Sequence, residues 1–303
     1  MIVDVPLPQP LDYALEIGDE RSVGLRCVVP LGKRSQIGVL VGVANESSIE
    51  LSKIKPVSRM LDEIAPLSND WLQLTRFAAD YYQHRWGEVA LPGLPRALRV
   101  VPGARYAQSI AKLRERAAPR WSGALPPLQL VTEQTAAIDA LNSAAGFVPH
   151  LLFGITGSGK TEVYLAAIAH RLASDATAQA LLLVPEINLT PQLHELLRAR
   201  FPSELVVALH SHLPDAERAA AWLAAHEGRA RIVVGTRLAV FASLPRLSII
   251  VVDEEHDPSY KAGEGVRYSA RDLAVKRAQL LGIPIVLGSA TPSLESWAQV
   301  SAN

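Results

Sequence analysis

Residues 151–173 read "LLFGITGSGKTEVYLAAIAHRLA": an apolar run, a glycine-rich loop and an alanine- and leucine-rich segment with helical character. Within it "GITGSGKT", residues 154–161, matches G-x-x-x-x-G-K-T at every fixed position. Gly154, Gly157 and Gly159, with Ile155, Thr156 and Ser158 between them, let backbone amides turn toward one centre. The following helix directs its positive end there and Lys160 adds a full charge. A triphosphate fits that arrangement, and the Thr161 hydroxyl would sit on Mg²⁺. An ordinary glycine-rich turn is the alternative. At average residue frequencies the pattern arises by chance in a chain this long with a probability of about 1%, and its place between a strand and a helix favours the phosphate loop.

Outward from this loop the same alternation continues. The runs "LLFG", "ALLLV", "LVVAL", "RIVV", "IIVV" and "PIVLG" are continuously apolar and separated in part by helical segments such as "AERAAAWLAAHE". Strands covered on both faces read this way, so the expected fold is α/β with a parallel sheet. In "IIVVDEEH" the acids stand at the C-terminal end of such a strand, where the loops of an α/β sheet converge on ligand. Asp253 would hold Mg²⁺ through water, and Glu254 would orient and deprotonate an attacking water. Glu255 and His256 each admit two readings, a solvent-facing or structural group and, for His256, a coupling role in the D-E-x-H order.

Residues 1–102 read instead as a small β-rich unit. "GLRCVVPLG" and "QIGVLVGV" are short and valine-rich, with Gly32, Lys33 and Arg34 at a turn between them. In "SNDWLQLTRFAADYYQHRWG" the spacing of Trp71, Leu74, Phe77, Ala78 and Tyr81 predicts one helix, with Ser68 as N-cap and Gly87 near its end. From Arg96 to Arg120 seven basic residues face the single acid Glu115. Such a run is a solvated linker, here 103–125, or a strip for backbone phosphates. The formal net charge is zero, no run of 18 apolar residues occurs, and the N-terminus lacks the basic start of a signal peptide. A cytoplasmic protein is expected, without membrane contact. One cysteine, Cys27, excludes an internal disulfide and a cysteine-rich zinc cluster within these residues.

With "GITGSGKT", "DEEH" and "LGSATPS" in that order, residues 126–303 resemble the first RecA-like lobe of a superfamily 2 helicase. Together "LVPEINLTPQ", "GTRLAVF", "DEEHDPSYKAGEGVRYSARDLA" and "GSATPSLES" are similar to the primosomal replication-restart helicases, the PriA family. The likeness extends to the N-terminus, where "LPQPLDYAL", "VVPLGKRSQIGVLVGV" and "FAADYYQHRWGEVALPGLP" resemble that family's 3′-end-binding domain. What the resemblance implies is an ATP- and Mg²⁺-dependent 3′ to 5′ DNA helicase of replication restart. It would act on branched DNA with a nascent 3′ end and on single-stranded DNA, with single-stranded-DNA-binding protein and other primosome proteins as partners. By position, Gln134 would read adenine, although by its place near a helix start it is equally an exposed cap. Arg237 would contact the strand, and Asp12, Gly32 and Lys55 would surround the terminal nucleotide. The loop after "DEEH" matches the family's aromatic-rich loop, which relays single-stranded DNA to the ATP site. Tyr260 and Tyr268 would supply stacking faces, and Lys261, Arg267 and Arg271 phosphate contacts.

Two departures stand against the family pattern. The winged helix expected between the modules has no room in the two dozen residues that separate them. No counterpart of the second motor lobe, its arginine finger or the family's zinc-binding cysteines lies within these 303 residues. A single lobe is expected to bind ATP weakly and turn over poorly, since such a finger is worth about 10³ to 10⁵ in rate. Two other functions fit the motifs: a different superfamily 2 translocase, with no need of a 3′-end pocket, or a non-enzymatic fork-end module with a vestigial nucleotide site.

Overall fold

A computed structural model describes residues 1–15, 20–116, 130–186 and 191–301. The chain divides into two compact units, Met1–Arg116 with Pro214–Leu223, and Ala117–Leu213 with Ala224–Asn303.

In the first unit the strands β1 (Ile2–Val3), β2 (Arg26–Leu31), β3 (Arg34–Val39) and β4 (Arg59–Leu61) form an antiparallel sheet in the order β1-β3-β2-β4. Leu31 pairs with Arg34, so the hairpin turn is the two residues Gly32 and Lys33, and Arg34 belongs to the strand. Gly32 supplies the positive φ of 61° that such a tight turn requires. Met1, Val3, Cys27, Val29 and Leu40 form a buried apolar cluster in this unit.

The single helix expected over 68–87 is two. Helix α1 (Asn69–Tyr81) follows Ser68, whose side chain makes no cap hydrogen bond, and Gln83 at φ 58° breaks the run before α2 (Trp86–Ala90). Trp71, Leu74 and Ala78 are fully buried as the spacing predicts, whereas Tyr81 is exposed and lies against Phe77. Gly87 is no terminator: a Cβ there would clash with the carbonyl of Val3, so the glycine lets α2 approach β1. After α3 (Arg96–Arg99), helix α4 (Tyr106–Glu115) occupies much of the stretch read as a linker. Tyr106 and Ile110 are four apart, share a face and are buried, and Arg26 donates to the Tyr106 phenol at 2.7 Å. Residues 117–125 of that stretch, with Arg120, lie outside the described residues.

The second unit carries α5 (Thr132–Ser143), β5 (Pro149–Phe153), α6 (Lys160–Ser174), β6 (Gln179–Leu183), α7 (Pro191–Arg200), β7 (Val206–Leu209), β8 (Ile232–Gly235), β9 (Leu247–Val252), α9 (Ala270–Leu281), β10 (Ile285–Ser289) and α10 (Leu294–Ser301). Helix α8 (Asp215–His226) lies between β7 and β8 in the chain. The six strands form one parallel sheet in the order β5-β10-β9-β6-β8-β7, and each apolar run of the sequence supplies one strand. Strands β6 and β8 are buried at every residue. Strand β5, at one edge of the sheet, leaves Phe153 exposed. The α/β fold with its smaller β-rich partner unit is thus as the sequence implies. Among the described residues no helix is long and apolar enough to cross a membrane.

Candidate nucleotide and DNA sites

A parallel sheet sends every strand out at the same edge, and β5, β9 and β10 deliver their C-terminal ends side by side. From β5 the chain enters the glycine loop. Gly157 and Gly159 both take φ 81°, and Gly159 caps α6. A Cβ on Gly159 would clash with the amide of Gln134, which donates to the Ser158 carbonyl at 3.0 Å. Gln134 also accepts from the Val131 amide at 3.0 Å. It therefore caps α5, the cap reading of its sequence position, and also touches the phosphate loop.

Lys160, only 9% exposed, folds inward with Nζ 2.9 Å from the Gly154 carbonyl and 3.7 Å from Oε1 of Glu254. The loop lysine and the second acid of "DEEH" thus face each other across the strand ends. Burial, and then the charge of Glu254, push the Asp253 carboxyl above the ordinary range, against a hydrogen bond from Tyr164. Thr161, Asp253 and Glu254 offer only hard oxygen donors, the set that suits Mg²⁺. A cation there would relieve the unfavourable ionisation of Asp253, so the residues fit the metal. Glu254 itself adopts φ 44°, an uncommon conformation for a residue with a side chain.

The rest of the acidic motif looks toward "GSATPS". His256 Nδ1 lies 2.7 Å from Ser289 Oγ and Nε2 lies 3.2 Å from Thr291 Oγ1. Glu255 is buried and accepts from the Ser293 amide at 2.7 Å, from Ser296 Oγ at 2.9 Å and from Arg271 at 3.0 Å. Burial opposes its ionisation, but these donors outweigh it and hold its carboxyl below the usual range. Glu255 is therefore an anchor for the start of α10, not a solvent-facing acid.

Two residues with no role assigned from the sequence complete the site. Tyr164, one turn after Lys160 on α6, donates to Asp253 Oδ1 at 3.1 Å. Its hydroxyl occupies the space over Gly288, where any Cβ would collide with it. In the sequence Tyr164 is one apolar position of a helix among several, and only its i+4 spacing from Lys160 marks it.

The loop after "DEEH" corrects the expected stacking faces. Tyr260 is buried and its hydroxyl donates to the Asp253 carbonyl at 2.6 Å. Tyr268 is buried edge-on against Phe241 at 5.0 Å between centroids, and burial raises its phenol to about 12. Apolar ring area is removed from water here, which the aromatic content of a polar loop does not reveal. Arg237 donates to the carbonyls of Ser259 and Lys261 at 3.1 and 3.2 Å, clamping the loop from within. Arg271 pairs with Glu255, which removes it from the phosphate contacts. Lys261 and Arg267 remain exposed.

On the first unit, neighbours of Asp12 in the chain reach the segments that carry Lys55 and Gly32. Ala14 donates to the Lys55 carbonyl at 3.0 Å, and the phenol of Tyr13 reaches the Pro30 carbonyl at 3.0 Å, two residues before Gly32. Asp12 accepts from Ser47 Oγ at 2.6 Å. All three are exposed, and among the described residues no side chain approaches the open face of Gly32. A cleft lined by Met1, Val3, Arg76, Asp80, His84 and Trp86 carries none of them.

Residues 132–300 match the DEAD/DEAH box helicase model, and residues 1–95 match the 3′ DNA-binding domain model of PriA. The chain belongs to the DEAD/DEAH box helicase family and, with both modules present in this order, to its PriA branch. It is 34% identical over 362 residues to replication restart protein PriA of Haemophilus influenzae, covering 96% of this chain and 49% of the relative. It is 35% identical over 304 residues to the PriA of Treponema pallidum, covering 98% and 44%. Among solved structures it is similar to the DUF1998 helicase MrfA, with 21% identity, a TM-score of 0.42, and 67% of this chain and 32% of that chain covered. The chain spans about half the length of the curated relatives it matches.

Proposed function

We propose that the chain supplies the fork-binding module and first motor lobe of an ATP-dependent 3′ to 5′ DNA helicase of replication restart. The observation that carries this reading is the 3.7 Å approach of Lys160 to Glu254 beside Asp253, within a chain that begins with a match to a 3′ DNA-binding domain. Backbone amides of residues 157–161 and Lys160 would hold the phosphates, with Gln134 at the loop. Thr161 and Asp253 would hold Mg²⁺, which supplies charge neutralisation when bound. Glu254 would orient and deprotonate water. His256 links it to Ser289 and Thr291.

The loop over 258–269 is the relay in this reading. Lys261 and Arg267 meet the strand, while Arg237, Tyr260 and Tyr268 hold the loop to the body and to the Asp253 backbone. Asp12, Gly32 and Lys55 receive the nascent 3′ end of a branched DNA. The modules are a 3′-end unit, a connecting stretch too short for a winged helix, and a lobe from about 126. The alignment to the H. influenzae relative runs over far more positions than the residues it covers, whereas the T. pallidum alignment does not, as expected if an inserted domain varies among these proteins. Single-stranded-DNA-binding protein and primosome proteins as partners, a zinc site in the longer family members and a cytoplasmic location belong to the same reading.

ATP turnover with and without single-stranded DNA, on this chain and on a longer product carrying a second lobe, tests it. DNA-stimulated turnover by the longer product, with slow turnover by this chain, is expected. Turnover indifferent to DNA in the longer product would contradict the motor assignment and leave a passive end-binding module.

A further inference from the structure

The basic residues of α3, α4 and their flanks divide into those that serve the fold and three that do not. Arg114 donates to the Glu63 carbonyl at 2.6 Å, and Arg99 lies 3.8 Å from Asp4. Arg105, Lys112 and Arg116 are exposed, and their side chains make no hydrogen bond or ion pair among the described residues. Arg105 and Arg116 flank the helix, and Lys112 lies on it. At i, i+7 and i+11 they fall within about 40° of one another around the helix axis and span about 16 Å along it. The buried pair Tyr106 and Ile110 lies on a different face, about 100° or more away. The one acid of the segment, Glu115, projects about 80° from the stripe. A chain of zero net charge thus carries a row of three cations that have no partner among the described residues, set along and at the two ends of a packed helix.

We propose that this face of α4 binds the phosphate backbone of the duplex arm of a forked DNA. The inference rests on the DNA-binding reading above and adds a surface to it. Charge complementarity selects the occupant: a duplex presents one negative charge per about 1.7 Å of axis, and released counterions favour any cation brought against it. A rigid row on a helix meets a rigid duplex without ordering either partner. The proposed contact is to phosphates alone, which carry no sequence information, so it is independent of sequence.

The test titrates the whole chain with a forked DNA, a blunt duplex and a single-stranded oligonucleotide across a series of salt concentrations. The parent is compared with the triple variant Arg105→Ala, Lys112→Ala, Arg116→Ala, and with Arg105→Lys, Arg116→Lys. Thermal unfolding of each variant verifies the fold. The alanine variant should bind duplex and fork about tenfold or more weaker near physiological salt, with the slope of log K against log salt reduced by about 2 to 3. The lysine variant should keep the parent slope. A folded alanine variant with the parent slope on duplex overturns the proposal, and a loss confined to the single strand does so as well. A parent that binds none of the three DNAs contradicts the DNA-binding reading itself.

Discussion

The phenol of Tyr164 donates a 3.1 Å hydrogen bond to Oδ1 of Asp253, so the helix that begins with Lys160 also steadies the carboxylate at the end of β9. Tyr164→Phe keeps the ring over Gly288 and removes only this bond. Binding of a fluorescent ATP analogue without divalent ions should be unchanged. The Mg²⁺ concentration for half-maximal tight binding should rise about three- to tenfold, the equivalent of roughly 1 kcal/mol for one such bond. An unchanged Mg²⁺ dependence would mean that the hydroxyl only fills space. Gly288→Ala, which forces a methyl into the hydroxyl, should instead destabilise the protein by about 1 to 3 kcal/mol.

Asp253 carries a cost in the nucleotide-free protein. Its folded-state pKa is raised, so its contribution to stability is present below the unfolded carboxylate value and lost as pH rises through the folded one. At neutral pH Asp253→Asn should therefore raise Tm by about 2–4 °C, and the gain should shrink on acidification. Thermal scans over pH check this. Equal Tm at neutral pH would contradict the buried, repelled state of the carboxylate.

Glu255 has the opposite sign. Its folded-state pKa is depressed, so the stability it contributes is present above the unfolded glutamate value and lost as pH falls through the lower folded value. Glu255→Gln should lower Tm at neutral pH, because the Arg271 pair and the Ser293 amide lose a charged acceptor. Relative to the parent it should flatten the acid side of the stability curve. A pH profile parallel to the parent's would show that the residue does not titrate against these donors.

For the relay, Tyr260→Phe and Arg237→Ala release the loop from the Asp253 carbonyl and from the turn that follows β8, and touch no phosphate ligand. In a product carrying both lobes, each should reduce DNA stimulation of ATPase activity about tenfold or more, the equivalent of roughly 1.4 kcal/mol. Basal turnover should stay within about twofold. Full stimulation in both variants would make the loop ordinary surface.

The sheet and its phosphate loop were legible because continuous apolar runs bounded by glycine, proline or charge admit few foldings, and because "GITGSGKT" and "DEEH" fix groups at strand ends. Side-chain direction was not. Tyr260 and Tyr268 occur in a polar loop, and residue type alone does not say that the rings turn inward against Phe241 and the Asp253 carbonyl. In α4 the run of arginines masks the Tyr106–Ile110 pair that buries the helix. The break at Gln83 depends on one positive φ that glutamine does not announce. Tyr164 becomes visible only when β9 and β10 are brought beside α6.

The 3′-end assignment separates a replication-restart helicase from any other translocase, and one titration reaches it directly. The whole chain is titrated with two forks that differ only in a 3′-hydroxyl or a 3′-phosphate on the nascent strand. Asp12 can accept a hydrogen bond from the hydroxyl, Gly32 leaves an open face for the sugar, and Lys55 can pair with the preceding phosphate. A terminal phosphate would place a second anion beside Asp12. A preference for the hydroxyl fork of about tenfold or more is predicted, from roughly 1 to 3 kcal/mol for the charged hydrogen bond. It should shrink in Asp12→Ala, whereas Lys55→Ala should weaken both forks. Equal affinity of the parent for the two forks would contradict the account.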